Sequence, residues 1–369
     1  MSNIINLAGK IAFLFKKRHL PKDFSPKRIL IMRSGAIGDV LMTTPAIKAI
    51  RQKFPETKID YLVGEYSKDI LENNPEIDEI LTFDDRIIYE KKLAKVLRLS
   101  KSLKKNKYDL AIVFDKSWMW CVFAFLTRAK LRLGFNRKGE GFANNLNIGF
   151  DGSMYEVDYN NKLAELLGIK ETDRNMHIYI SNKDKELARE IIRKNITKKK
   201  IIGIAPGGAK NPGQVMDSKR PKIEFYADIC NALGKDSNII IFGSKKDSEA
   251  AESLKKLSKI KVIDMTGKLK LKQSAALIGQ CDLFITHDNG LMHIAAAMQS
   301  PLIAIFGPTQ AERFAPKISN STIIKAKQRC NPCYDIYGNF AKDCRCIDDI
   351  SPDSVIEAAQ KILKNASKK

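Results

Sequence analysis

Four clusters in this sequence bring together residues able to do chemistry. In the first, Arg33-Ser34-Gly35-Ala36-Ile37-Gly38-Asp39 follows an apolar run, so a carboxylate enters where a strand gives way to a helix. Held there, Asp39 can cap the helix or take a proton from a hydroxyl. Gly35 and Gly38 allow a tight path, but Gly35-x-x-Gly38 falls short of the full dinucleotide fingerprint, which argues against a nicotinamide cofactor. The second cluster, Pro206-Gly207-Gly208-Ala209, is another glycine turn after an apolar run, and its small residues let backbone amides approach a pyrophosphate. The cations Lys219 and Arg220 follow it. In the third, His287-Asp288-Asn289-Gly290-Leu291-Met292-His293 opens an Ala-rich helix, with Asp288 and Asn289 placed to cap the first turn. Such a helix mouth presents N–H groups and positive charge to an anion. An ordinary capped helix in a βαβ unit is the plainer reading of the same residues.

The fourth cluster is Cys330-x2-Cys333 with Cys344-x-Cys346. The spacing is like a zinc knuckle with a short second pair, which leaves a structural metal, a reversible disulfide and reduced thiols as readings. Cys121, Cys230 and Cys281 lie in apolar segments and read as core thiols.

Composition narrows the partners. Lys and Arg number 64 against 42 Asp and Glu, a net charge of +22, which suits nucleic acid, an anionic membrane or a phosphorylated substrate. Nucleic acid is disfavoured, because no RNP-type aromatic motif, zinc finger or recognition helix stands out. No apolar run reaches transmembrane length, and the basic start lacks a small-residue cleavage site, so the chain reads as cytosolic. Residues 1–20 set Ile4, Leu7, Ile11, Leu14 and Phe15 on one helical stripe flanked by Lys10, Lys16, Lys17 and Arg18. That segment suits a helix lying on anionic lipid, or one docked on its own domain.

The elements that position these clusters alternate. Apolar runs at 28–32, 59–63, 79–83, 108–115 and 130–134 read as strands, separated by helical patterns at 40–53 (with Pro45 inside), 67–73, 90–105 and 118–127. A basic loop over 136–141 carries Arg137 and Lys138, which could meet an anionic acceptor, and a helix follows at 155–167. The alternation pauses in a polar stretch at 170–182. It resumes with strands at 200–205, 238–242, 261–264, 283–286 and 301–306 and helices between them. Strands alternating with helices predict an α/β fold with parallel sheets covered on both faces. At 369 residues there is room for two such domains. The expected division is a basic segment over 1–26, one Rossmann-like domain over 27–178, a second over 179–350 and a terminal helix and tail over 351–369.

Several of these motifs, in order, resemble glycosyltransferase family 9, the lipopolysaccharide heptosyltransferases. The resemblance is carried by the run from Leu30 to Ile47 around Gly38-Asp39, by Pro206-Gly207-Gly208-Ala209 and by Lys219-Arg220-Pro221. It is carried further by the run from Thr286 to Ala297, by Phe306-Gly307-Pro308-Thr309 and by Cys330-Asn331-Pro332-Cys333-Tyr334. It spans roughly residues 27–363. This chain departs from the family in having His287 where Asn is common, in lacking Trp between Arg220 and Pro221, and in an insertion over 211–217.

The resemblance implies a GT-B fold, two Rossmann-like domains with parallel sheets facing a central cleft. It implies an inverting enzyme, needing no metal or other cofactor for its chemistry, that moves heptose from ADP-heptose to an anionic inner-core acceptor at the inner face of the inner membrane. Carried over, Asp39 is the general base and Lys219 the cation on the departing diphosphate. Asp288 holds sugar hydroxyls, while backbone N–H groups near Gly290 and Leu291, with His293, hold phosphate; Gly207, Gly208 and Asn289 complete the donor-binding set. Asp247 faces the nucleoside ribose, and Gly35, Gly38, Arg137 and Lys138 lie towards the acceptor. A relative using another nucleotide sugar, and a non-catalytic binder of nucleotide sugar or glycolipid, are the alternatives.

Overall fold

The computed structural model describes residues 20–89, 93–208, 210–211, 214–327, 333–339 and 344–366. The amphipathic stripe within residues 1–19, Ala209, Cys330 and the last three residues of the tail lie outside the described residues. Two compact units divide at Met176/His177.

The first unit carries a six-stranded parallel sheet made of β1 (Arg28–Arg33), β2 (Lys58–Gly64), β3 (Glu79–Phe83), β4 (Leu110–Val113), β5 (Leu131–Asn136) and β6 (Leu146–Gly149). Its order is β3-β2-β1-β4-β5-β6. The central strands read as unbroken apolar runs because helices cover both faces. Ile29, Leu30, Ile31 and Met32 are wholly buried, and Trp120 and Phe123 pack on Leu30, Met32 and Val113.

The helix expected over 40–53 is two helices, Ile37–Leu41 and Thr44–Lys53. Proline has no N–H and its ring clashes with the preceding turn, so Pro45 is tolerated only in a first turn. The chain breaks at Met42-Thr43, and Pro45 sits in the first turn of the second helix. The hydroxyls of Thr43 and Thr44 donate to Val40 O and Leu41 O at the break. The helix expected over 67–73 is instead a 3-10 turn, Glu65–Ile70.

The second unit repeats the plan with β7 (Lys200–Ala205), a small hairpin of β8 (Lys210–Asn211) and β9 (Gln214–Val215), then β10 (Ser237–Ile241), β11 (Val262–Asp264), β12 (Leu283–His287), β13 (Leu302–Phe306) and β14 (Ser321–Lys325). The large sheet is again parallel, ordered β11-β10-β7-β12-β13-β14. Numbered within each unit, both sheets run 3-2-1-4-5-6, the Rossmann order. Two Rossmann-like units in one chain are the components of the expected GT-B fold. The final helix, Pro352–Ala366, buries Val355 and Ala359 in the core of this unit.

In a sheet of this order the strand sequence reverses between its first and fourth members. Ligands bind outside the carboxyl ends of those strands. The ends to inspect are therefore β1 and β4 in the first unit, and β7 and β12 in the second.

Candidate active site

At the end of β1, Arg33 bridges two carboxylates. Its guanidinium lies 2.7 Å from Asp39 and 3.0 Å from Asp115, the residue two places beyond β4. Asp115 also accepts from the Ser34 N–H at 2.7 Å and the Ser34 hydroxyl at 2.8 Å. Burial disfavours the charged guanidinium, but Asp39, Asp115 and Glu156 outweigh it and raise the Arg33 pKa. Burial raises the Asp115 pKa, with Arg33 and Ser34 opposing. Asp39 sits in the first turn of the Ile37–Leu41 helix with its side chain 30% exposed. Arg33 engages Oδ1, while Oδ2 lies beside Gly35. The arrangement orients a carboxylate and leaves part of it open to solvent, the condition a base for an incoming hydroxyl requires.

Neither Arg33 nor Asp115 was singled out by sequence reasoning. An acid closing the strand that pairs with β1 was the available signal. Gly35 accepts from the Ser67 hydroxyl at 2.8 Å, and Gly38 is buried in the helix start. Arg137 forms an ion pair with Glu140 at 2.5 Å, and Lys138 is exposed with φ +47°.

The second unit builds its site at the ends of β7 and β12. The Gly207-Gly208 turn is tied down by Asp247, whose Oδ1 accepts from Gly208 N–H at 2.7 Å. Its Oδ2 accepts from the Ser244 N–H and hydroxyl at 2.8 and 2.7 Å. A Cβ on Gly207 would lie 2.5 Å from that Oδ1, and Gly208 has φ +101°, so side chains are excluded from both positions. The structure thus gives Asp247 the work of holding the glycine turn. Pro206 and Asp247 also line a concavity of 340 Å³, with the cations Arg220, Lys222, Lys246 and Arg345 at its walls.

Asn289 and Asp288 divide the tasks expected of both. Asn289 caps the Gly290–Ala297 helix, its Oδ1 accepting from Leu291 N–H at 2.9 Å and Met292 N–H at 3.2 Å. Its amide nitrogen donates to the Thr286 hydroxyl at 2.8 Å and Gly207 O at 3.4 Å, joining the helix mouth to the glycine turn. Leu291 N–H, expected at phosphate, is thus engaged by the cap.

Asp288 does not cap. It accepts from Lys219 Nζ at 2.8 Å, with both side chains about nine-tenths buried. Burial alone would raise the Asp288 pKa. Lys219, His293 and the Thr309 hydroxyl reverse that and lower it. Lys219 also lies over the Tyr334 ring at 5.7 Å. The result is a pre-organised cation beside a helix mouth and a glycine turn, an arrangement chemically able to hold an anion.

His287, the departure from the family pattern, packs on Tyr226 of the Ile223–Leu233 helix, with ring centroids 6.3 Å apart. Its ring is wholly buried and its Nδ1 is 2.9 Å from the Tyr226 hydroxyl. Burial pulls its pKa down to about 3, so it is neutral near pH 7. The substitution of His for Asn therefore alters the core beneath the site.

Comparison with known proteins agrees with both units. The sequence model of glycosyltransferase family 9 (heptosyltransferase) matches residues 96–342, a span that includes Lys219, Asp288 and His293 and begins after Asp39. The chain is 27% identical over 299 residues to the lipopolysaccharide core heptosyltransferase OpsX of Haemophilus influenzae, covering 79% of this chain and 82% of that one. It is 28% identical over 362 residues to lipooligosaccharide heptosyltransferase 2 of Haemophilus ducreyi, covering 91% and 99%. Among solved structures, a family 9 glycosyl transferase from Veillonella parvula superposes with TM-score 0.76 at 23% identity, over 95% of this chain and 99% of that one. The ADP-heptose lps heptosyltransferase II of E. coli does so with TM-score 0.73 at 20% identity, over 92% and 99%. With the family model matched over most of the chain and the GT-B fold shared, the protein is a glycosyltransferase and belongs to glycosyltransferase family 9.

Proposed function

We propose that this chain transfers heptose from ADP-heptose to an anionic lipopolysaccharide inner-core acceptor, with inversion and without a metal ion in the chemical step. The observation that carries the reading is the Lys219–Asp288 pair beside the helix mouth that Asn289 joins to the Gly207-Gly208 turn, a buried cation to meet a departing diphosphate. Of the relatives named above, the Haemophilus influenzae protein is a lipopolysaccharide core heptosyltransferase and the Haemophilus ducreyi protein a lipooligosaccharide heptosyltransferase, which favours that donor and acceptor over others.

In the proposed step the acceptor O–H gives its proton to Asp39 as the oxygen attacks the anomeric carbon. The bond from that carbon to the phosphate oxygen breaks, and ADP leaves with the electron pair. Lys219 meets the charge that develops on the diphosphate. Asp288 accepts from sugar hydroxyls, and attack from the face opposite the leaving group inverts the centre. Arg33, through its bond to Asp39 Oδ1, is a positioning residue for the base.

The net charge of +22 suits an anionic acceptor presented on a membrane, and we place the enzyme at the cytoplasmic face of the inner membrane. Among the described residues no helix is long and apolar enough to cross a membrane. Calorimetric titration of ADP, UDP, GDP and CMP into the protein tests the donor assignment. Selective ADP binding, followed by transfer from ADP-heptose, is expected. Preference for a different nucleotide would transfer the reading to another donor, and binding of none would remove the donor site.

A further inference from the structure

Cys333, Cys344 and Cys346 come from two chain segments, are all buried, and place their sulfurs within 4.8 Å of one another. The other described cysteines, Cys121, Cys230 and Cys281, are distributed through the core one by one. Three sulfurs converging on one point is more than a disulfide uses. Four thiolates around zinc at about 2.3 Å stand about 3.8 Å apart, so the three need to draw together by about 1 Å at most. Between Lys325 and Cys346 the described residues form no helix or strand element.

What the segment touches gives the site a purpose. Tyr334, next to Cys333, carries its ring under Lys219 at 5.7 Å. Arg345, between Cys344 and Cys346, donates to Asp217 O at 3.3 Å, two residues before Lys219. Ile347 occupies the space beside Gly307, where a Cβ would lie 2.6 Å from its own Cβ. The cysteine segment therefore braces the turn that presents Lys219.

We propose that Cys333, Cys344 and Cys346 are ligands of a structural, thiophilic divalent cation, zinc being the ion that best suits a buried tetrahedral thiolate site. Each thiol gives its proton to solvent as its bond to the metal forms. The ion takes no part in the transfer step. It fixes Tyr334 and Arg345, and through them the position of Lys219.

The metal site stands independently of the heptosyltransferase reading; only the use of ADP as a probe rests on it. The test is elemental analysis of the full chain, expressed with zinc and iron supplied and purified in reductant without a metal-affinity step. One equivalent of a single metal per chain is expected, and Cys344→Ser should lose it while Cys230→Ser, a core control, keeps it. Should Cys344→Ser fail to fold, cobalt exchange into the wild-type chain still decides. A tetrahedral cobalt–thiolate spectrum supports the site. Metal-free protein that gives no such spectrum overturns it, as does a disulfide between two of these cysteines under the same conditions. Removing the ion with chelator should weaken ADP binding at least tenfold, with recovery on adding zinc. Unchanged ADP binding in demetallated protein would overturn the bracing role while the elemental result stood.

Discussion

Replacing Lys219 by alanine removes the cation of the donor site and strands the carboxylate it covers. Two effects follow, and they are separable. Asp288 has 8% of its side chain exposed and depends on Lys219, His293 and Thr309 for compensation. Breaking one side of a buried ion pair costs about 3–5 kcal/mol. Because the His293 and Thr309 interactions survive, a loss near about 3 kcal/mol is expected in denaturant unfolding. The second effect is on the ligand. A hydrogen bond to a charged group contributes about 1.5–3 kcal/mol, so ADP affinity should fall by about 10- to 100-fold.

The double variant Lys219→Met with Asp288→Asn removes both charges. It should regain most of the stability but none of the ADP affinity. Equilibrium unfolding and calorimetry on the wild type and the two variants read both quantities. ADP affinity within twofold of wild type in Lys219→Ala would refute the assignment of Lys219 to the diphosphate, whatever happens to stability.

Two further perturbations follow from the same geometry. His287 is neutral and buried, with its folded pKa near 3 against about 6.5 unfolded, so the unfolded chain binds the extra proton first as pH falls. Its contribution is complete above about pH 6.5 and lost progressively below, amounting to about 2 kcal/mol by pH 5. His287→Asn should flatten the stability profile between pH 7 and 5, and an unchanged slope in urea melts would contradict the burial argument. Gly207→Ala puts a methyl 2.5 Å from Asp247 Oδ1 and must displace the turn; ADP affinity should fall at least tenfold in the same calorimetric assay, while retained affinity would mean the turn is not a phosphate seat.

Much of this architecture could be read from residue order, and the gaps have physical causes. The central strands announce themselves because burial on both faces makes them continuous apolar runs. At the margin, β6 (Leu146–Gly149) looks like polar turn sequence and β14 (Ser321–Lys325) follows a loop. Neither is signalled, because edge strands need less apolar surface. Glycine turns and a helix mouth located the two site fragments, since backbone geometry restricts which residues fit. The partners were not legible. Lys219 and Asp288 are 69 residues apart, and Arg33 and Asp115 are 82 apart. Only the 3-2-1-4 strand order places such residues side by side. Pro45 shows the reverse case: its missing N–H determined a helix break that the apolar pattern had hidden.

The central claim is that Asp39 removes the proton from the acceptor hydroxyl. Steady-state transfer from ADP-heptose to an inner-core acceptor, comparing wild type with Asp39→Asn, tests it most directly. Asparagine preserves shape and can still contact Arg33, while Asp115 continues to hold that guanidinium. Turnover should therefore fall by about 10²- to 10⁴-fold with ADP affinity unchanged. An Asp39→Asn enzyme that keeps turnover within a few-fold of wild type would contradict the account.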